Sequence, residues 1–247
     1  MTVSVPLERS EEARATMIEL FPEGFEERAD GADLALTAYT ERADAVVRLE
    51  ALGRVSESPV ALGWEDAWKG FHTPVTIGPL WIGPPWESPA PQSTPIVIDP
   101  GQAFGTGAHP TTRLCLELLL DLEPAGLVDL GCGSGVLAVA AAKLGFAPVV
   151  ALDDDPAAVE ATRASAAANG VVLDARCADV LVCLLPDVEV AVANIARGPV
   201  ERAVERFEGR IVVASGYLEA ERPEPAGWRV GARRVAAGWA ADILVRD

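Results

Sequence analysis

The sequence predicts an α/β protein whose larger part is a doubly wound, mostly parallel sheet. Three observations predict it. From Pro95 onward, short apolar runs alternate with longer segments of helical spacing, the pattern of a parallel sheet covered by helices. A glycine-rich stretch, residues 129–135, falls where one such strand ends and a helix begins. A shorter N-terminal stretch has its own strand and helix order, set apart by a segment rich in tryptophan and proline.

The N-terminal elements come first. Residues 2–7 alternate like a strand, and residues 11–21 have helical spacing, with Ala15, Ile18, Leu20 and Phe21 apolar. Residues 25–29 and 34–39 read as two strands joined by the turn Asp30-Gly31. Residues 41–52 are again helical, with Val46, Leu49 and Leu52 near one face, and a strand follows at 54–60. The order β-α-β-β-α-β is the ferredoxin-like arrangement, so a small α+β domain is expected over residues 1–60. Residues 61–94 read as a connector. Pro74, Pro79, Pro84, Pro85, Pro89 and Pro91 bar a long helix there. Trp64, Trp68, Phe71, Trp81, Ile82 and Trp86 make it too apolar for a solvated linker, and it is expected to pack along both domains.

The larger domain is expected over residues 95–247. Its reading is a helix at 111–122, a strand at 127–130, a helix at 136–144 and a strand at 149–152. A helix at 156–169 has Pro156 in a favoured early position. Strands follow at 171–176, 188–193 and 210–214, with a short helix at 200–207. Two closing strands, 229–235 and 241–245, turn around Gly238. Seven strands result, with helices on both faces.

Composition narrows the function classes. Half the residues are hydrophobic, enough for a substantial core, yet no apolar run approaches the roughly 20 residues that span a bilayer. The first residues lack the basic flank and apolar run of a secretory signal, so a cytoplasmic protein with no membrane partner is expected. The net charge of −17 disfavours nucleic acid as the main substrate and suits a basic protein partner. Four cysteines without C-x-x-C spacing and two histidines supply no zinc site, and none is expected.

The chemistry is expected at Asp129-Leu130-Gly131-Cys132-Gly133-Ser134-Gly135. Gly131 and Gly133 let the backbone turn tightly and approach a ligand with no Cβ in the way. A dinucleotide fingerprint, G-x-G-x-x-G, would need glycine at 136, where Val136 stands. The D-x-G-x-G-x-G form is instead similar to class I methyltransferases, which implies a Rossmann-like domain binding S-adenosylmethionine. Asp129 would then stabilise the methionine ammonium, and Asp153, ending the next strand, would accept hydrogen bonds from the ribose hydroxyls. Asp155, just before Pro156, fits a helix cap better.

Two further segments narrow the resemblance. Pro100-Gly101-Gln102-Ala103-Phe104-Gly105-Thr106-Gly107-Ala108-His109-Pro110-Thr111-Thr112 precedes the first strand of the large sheet, and Asn194-Ile195 ends the fourth. With Trp64-Glu65-Asp66-Ala67-Trp68-Lys69 and Pro79-Leu80-Trp81-Ile82-Gly83-Pro84-Pro85-Trp86, these resemble the ribosomal protein L-11 methyltransferase family over residues 64–216. The resemblance implies transfer of methyl groups to lysine and N-terminal amines of that ribosomal protein, which the N-terminal domain would recognise. It also implies cofactor contacts at Thr106, Thr112, Gly131, Gly133, Asp153 and Asn194. Asn194 is expected to aim the acceptor amine, Phe104 to shield the sulfonium and His109 to relay a proton. Residues 219–225 leave little room for the helix usual after the fifth strand. Another protein or small-molecule acceptor, or a non-catalytic cofactor-binding module, are the alternatives.

Overall fold

The computed structural model describes residues 1–21, 26–30, 33–38, 45–56, 73–100 and 107–247, which fall into two units, Met1–Lys69 and Gly70–Asp247. The first contains β1 (Thr2–Pro6), α1 (Ser10–Leu20), β2 (Glu26–Asp30), β3 (Asp33–Thr37), α2 (Ala45–Glu50) and β4 (Arg54–Ser56). Its strands pair antiparallel in the order β2-β3-β1-β4. Period-2 alternation in β1 turns Val3 and Val5 inward, where they meet Met17 of α1, Leu36 of β3 and Leu49 of α2. The expected Gly31 of the turn, the start of the second helix at 41–44, the strand end at 57–60 and the aromatic residues Trp64, Trp68 and Phe71 lie outside the described residues.

The second unit begins with a sheet that the sequence reading passed over as connector. β5 (Val75–Ile77), β6 (Leu80–Gly83) and β7 (Thr94–Val97) pair antiparallel and then parallel. Prolines flank these strands, and Pro95 sits within β7, so no long apolar run announces them. Gly78, at φ +53°, makes the tight turn between the first two. Ile77, Leu80, Ile82 and Ile96 are buried in the core of this unit. The side chain of Asn169 completes the arrangement. Its Oδ1 accepts from Val97 N at 2.8 Å, and its Nδ2 donates to Val97 O at 2.7 Å, so an amide side chain takes the part of a neighbouring strand.

The large sheet contains β8 (Leu127–Leu130), β9 (Val149–Asp153), β10 (Asp174–Cys177), β11 (Val190–Asn194), β12 (Ile211–Leu218), β13 (Trp228–Ala236) and β14 (Trp239–Arg246). The order is β10-β9-β8-β11-β12-β14-β13. The first five are parallel, and β14 runs antiparallel between β12 and β13. Four helices, α3 (Pro110–Leu119), α4 (Val136–Lys143), α5 (Pro156–Asn169) and α6 (Arg197–Arg206), accompany them.

Helices cover both faces, as expected, but their distribution is unequal. Leu127, Val149, Val192 and Val213 pack against α3, α4 and α5. Val128, Leu130, Ala193 and Val212 on the opposite face meet α6 alone, with loop residues Leu181, Leu185 and Val188 closing the rest. The reason lies in the connections: residues 178–189 and 219–227 contain no helix. α6 also starts earlier than its apolar spacing suggests, because Pro199 is tolerated in a first turn. Asp155 caps α5 by accepting from Ala157 N at 2.8 Å, and Gly170 ends that helix at φ +64°.

Candidate functional site

The carboxyl ends of the parallel strands converge on a cavity of about 400 Å³, inside the range of small-molecule sites. Its floor is the turn from β8 into α4. Gly131 and Cys132 donate their N–H groups to Leu152 O at 2.8 and 3.0 Å, which fixes the turn to the neighbouring strand. At Gly131, φ is +84°, and a Cβ there would lie 2.5 Å from Ile195 Cγ2, so the position has no room for a side chain. Thr162 of α5 braces the loop from behind. Its hydroxyl lies 3.0 Å from Gly133 O and 3.2 Å from Cys132 Sγ.

Asp153 ends β9 at the cavity wall. Its Oδ2 accepts from Gly133 N at 2.9 Å, and its Oδ1 from Asp155 N at 3.0 Å. The carboxylate therefore holds the glycine loop and the start of α5 at a set separation. It also leaves lone pairs for a ligand, since each carboxylate oxygen accepts more than once.

Opposite stands Asn194, the last residue of β11. Its Nδ2 donates to Thr112 Oγ1 at 3.3 Å, linking the strand end to the first turn of α3. That bond leaves Asn194 Oδ1 as the free acceptor of the amide among the described residues. Ile195 and Pro199 continue the wall as apolar surface.

Thr112, Gly131, Gly133, Asp153 and Asn194 thus line one cavity. Asp129 and His109 do not join them. Strand alternation turns Asp129 toward α4, behind the loop, where it is 1 % exposed and its Oδ2 accepts from Ala138 N at 3.1 Å. It supports the helix start. His109 is the N-cap of α3: its Nδ1 lies 2.7 Å from Thr111 Oγ1, and its ring meets Trp239 edge-on at 5.0 Å. Phe104 and Thr106 lie outside the described residues. Sequence reasoning missed Asp154 and Asp179 on the wall. The available signal was positional: Asp179 follows the carboxyl end of β10, where an open α/β sheet binds its ligand. Among the described residues no cluster is placed to hold a metal ion.

Burial without water pushes the Asp129 carboxyl up to about 7, with the Asp153 charge adding to the rise and the Ala138 N–H opposing it. A carboxyl whose folded value lies above its unfolded one binds its proton more tightly in the fold. Its contribution to stability is therefore complete below about pH 4 and is lost as pH rises through about 7. Asp129→Asn is expected to flatten the fall in stability between pH 5 and pH 8, measured by urea unfolding at both values. An unchanged slope in the variant would show that Asp129 does not set it.

A family model described as ribosomal protein L11 methyltransferase (PrmA) matches residues 12–221. Similar curated proteins carry the name ribosomal protein L11 methyltransferase. The protein of Tolumonas auensis is 42 % identical over 177 residues, covering 65 % of this chain and 59 % of its own length. That of Aliivibrio fischeri is 41 % identical over 182 residues, covering 67 % and 60 %. The chain thus spans about three fifths of the length of the curated relatives it matches. Among solved structures, a ribosomal protein L11 methylase from Lactobacillus delbrueckii subsp. bulgaricus has a TM-score of 0.65 at 26 % identity, over 70 % of this chain and 98 % of that one. A putative methyltransferase from Escherichia coli shares the fold, with a TM-score of 0.52 at 18 % identity over 71 % and 99 %.

Proposed function

The chain belongs to the ribosomal protein L11 methyltransferase family, and on that premise we propose that it methylates lysine and N-terminal amines of ribosomal protein L11 from S-adenosylmethionine. The observation that carries the reading is the pairing of Asp153 and Asn194 across one cavity, with the close-packed glycine loop as its floor. The residues present fit the cofactor. Gly131 keeps the turn free of side-chain bulk, Asp153 offers a charged acceptor suited to vicinal hydroxyls, and the apolar wall at Ile195 and Pro199 suits an acceptor amine in its neutral form.

When bound, S-adenosylmethionine supplies a methyl group already activated on its sulfonium. The chain's own part is to hold a neutral amine in line with it. A lysine with an ordinary pKa of about 10.4 must give up a proton at a cost of about 4–5 kcal/mol at pH 7. Ile195 and Pro199 lower that cost by disfavouring the charged form. Asn194 Oδ1, left free by the Nδ2–Thr112 bond, accepts from the amine N–H and turns its lone pair toward the methyl group. Residues 1–60 take the role of substrate recognition, supported by a separate core and sheet. The net charge of −17 favours a cationic protein acceptor over nucleic acid. No helix among the described residues is long and apolar enough to cross a membrane, and a cytoplasmic setting accords with a ribosomal substrate.

The test is transfer of labelled methyl from S-adenosylmethionine to purified ribosomal protein L11. Label in L11 is expected. Asn194→Ala should lower the single-turnover rate at least about tenfold, or about 1.4 kcal/mol of barrier, with a smaller change in cofactor affinity. Label appearing only in other proteins of a lysate would overturn the choice of acceptor. A wild-type rate in Asn194→Ala would remove that residue from the mechanism.

A further inference from the structure

A buried polar group lies one step behind the acceptor side of the cavity, and stability does not account for it. Asp242 of β14 is fully buried, and its Oδ2 accepts from Tyr217 Oη and from Arg233 Nη1, each at 2.8 Å. Among the described residues, Asp242 Oδ1 and Arg233 Nε are buried with no hydrogen-bond partner. An ion pair removed from water seldom outperforms a packed apolar pair, and each orphaned polar atom adds its own penalty. The group must be explained by the geometry it enforces.

That geometry leads to the cavity in three contacts. Tyr217 Oη also lies 2.9 Å from Ala214 O, so its one proton is shared between that carbonyl and Asp242, and the phenol spans the irregular stretch of β12 where the register shifts between Ser215 and Tyr217. The residue inside the irregularity is Gly216, at φ +98°, whose missing Cβ would stand 2.0 Å from Ile195 O. The bulge therefore seats the Ile195 backbone directly, and Ser215 pairs in register with Asn194. From the other side, Arg233 Nη2 donates to Glu219 O and Glu221 O, both at 2.8 Å. One guanidinium thus holds the connection after β12, which contains no helix to hold itself.

We propose that Arg233, Asp242 and Tyr217 are positioning residues that fix Asn194 and Ile195 against the bulge at Gly216. Asn194 then presents its amide to an acceptor without rearrangement, the kind of support a rigid site needs behind its contacting residues. The effect on rate rests on the methyl-transfer reading above; the effect on the position of Asn194 does not.

Three variants test it: Tyr217→Phe, Arg233→Lys, and Arg233→Met combined with Asp242→Leu. Each is read by the nuclear magnetic resonance signals of the Ile195 methyl groups and the Asn194 side-chain amide. Cofactor affinity comes from calorimetry with S-adenosylmethionine, and rate from single-turnover transfer to ribosomal protein L11. Tyr217→Phe keeps the packed ring, and Arg233→Lys keeps the charge but loses the fork that spans two carbonyls. Both are expected to move the Ile195 and Asn194 signals and to lower the transfer rate about tenfold, with cofactor affinity within twofold. The apolar double variant should remain folded yet stay slow, because no donor reaches Glu219 and Glu221. Unmoved signals in Tyr217→Phe and Arg233→Lys overturn the proposal, as does a wild-type rate in the folded double variant. Should the wild type transfer nothing to L11, the functional reading falls, while the signals of the two single variants still decide the positioning one.

Discussion

Asp153→Ala is expected to weaken S-adenosylmethionine binding about 100-fold or more. Two losses combine. The ribose hydroxyls lose a charged acceptor, worth about 1.5–3 kcal/mol. Gly133 N–H and Asp155 N–H lose the carboxylate that holds them at 2.9 and 3.0 Å, so the glycine loop is no longer set against β9. A hundredfold rise in the dissociation constant corresponds to about 2.7 kcal/mol, within the sum of these effects. Titration calorimetry of the alanine and asparagine variants separates them. Asp153→Asn retains an acceptor oxygen for Gly133 and should fall between wild type and alanine. A change below about threefold in Asp153→Ala would contradict the assignment of Asp153 to the ligand.

A large effect on stability is expected at Gly135. This residue opens α4 at φ +81°, where an L side chain costs about 1–2 kcal/mol. A Cβ would also stand 2.9 Å from Thr162 Cα, a backbone atom of α5 that cannot swing aside. Crowding of that kind adds about 1–3 kcal/mol. Gly135→Ala is therefore expected to destabilise the protein by about 2–5 kcal/mol, a fall of roughly 5–15 °C in Tm for a chain of this size. Gly170 is the internal control. It too has positive φ, +64°, but nothing lies within 4 Å of its missing Cβ. Gly170→Ala should lose only the backbone part. Equal losses at the two positions, measured by thermal unfolding, would show that the approach of α5 is not what forbids a side chain at Gly135.

These two glycines also mark what the sequence made legible. The glycine run 129–135 was readable because it sits at a strand end, where an open α/β sheet binds its ligand, and the resemblance to class I methyltransferases pointed to the acid at 153. Asn194 was named by the family resemblance; its bond to Thr112 joins residues 82 positions apart and no local pattern announces it. The placement of Asp129 follows from parity. The motif groups it with the glycines, but period-2 alternation in β8 sends it to the far side, under α4. His109 is the N-cap of α3, directly before the proline that opens the helix. The β5–β7 sheet escaped notice because its strands are three or four residues long and bounded by proline. β12 was ended at Ala214 in the sequence reading because Ser215-Gly216 breaks the apolar run. In the structure that break is an irregularity inside a strand that continues to Leu218.

The unequal cover of the large sheet has a consequence for how the molecule opens. Proteins unfold locally in cooperative segments, and those with the least packed surface open first. On one face, three helices and a second sheet share the core. On the other, ten residues of α6 and the irregular connection at residues 178–189 cover the face. Partial opening should therefore begin with α6 and spare the glycine loop. Pro199 of that helix and Ile195 just before it also form cavity wall, so the least protected segment is the one a bound ligand would touch. Occupancy of the cavity then acts by linkage on amide exchange in α6, slowing it without altering the deeper core, and the site doubles as a clasp for the thinnest part of the fold.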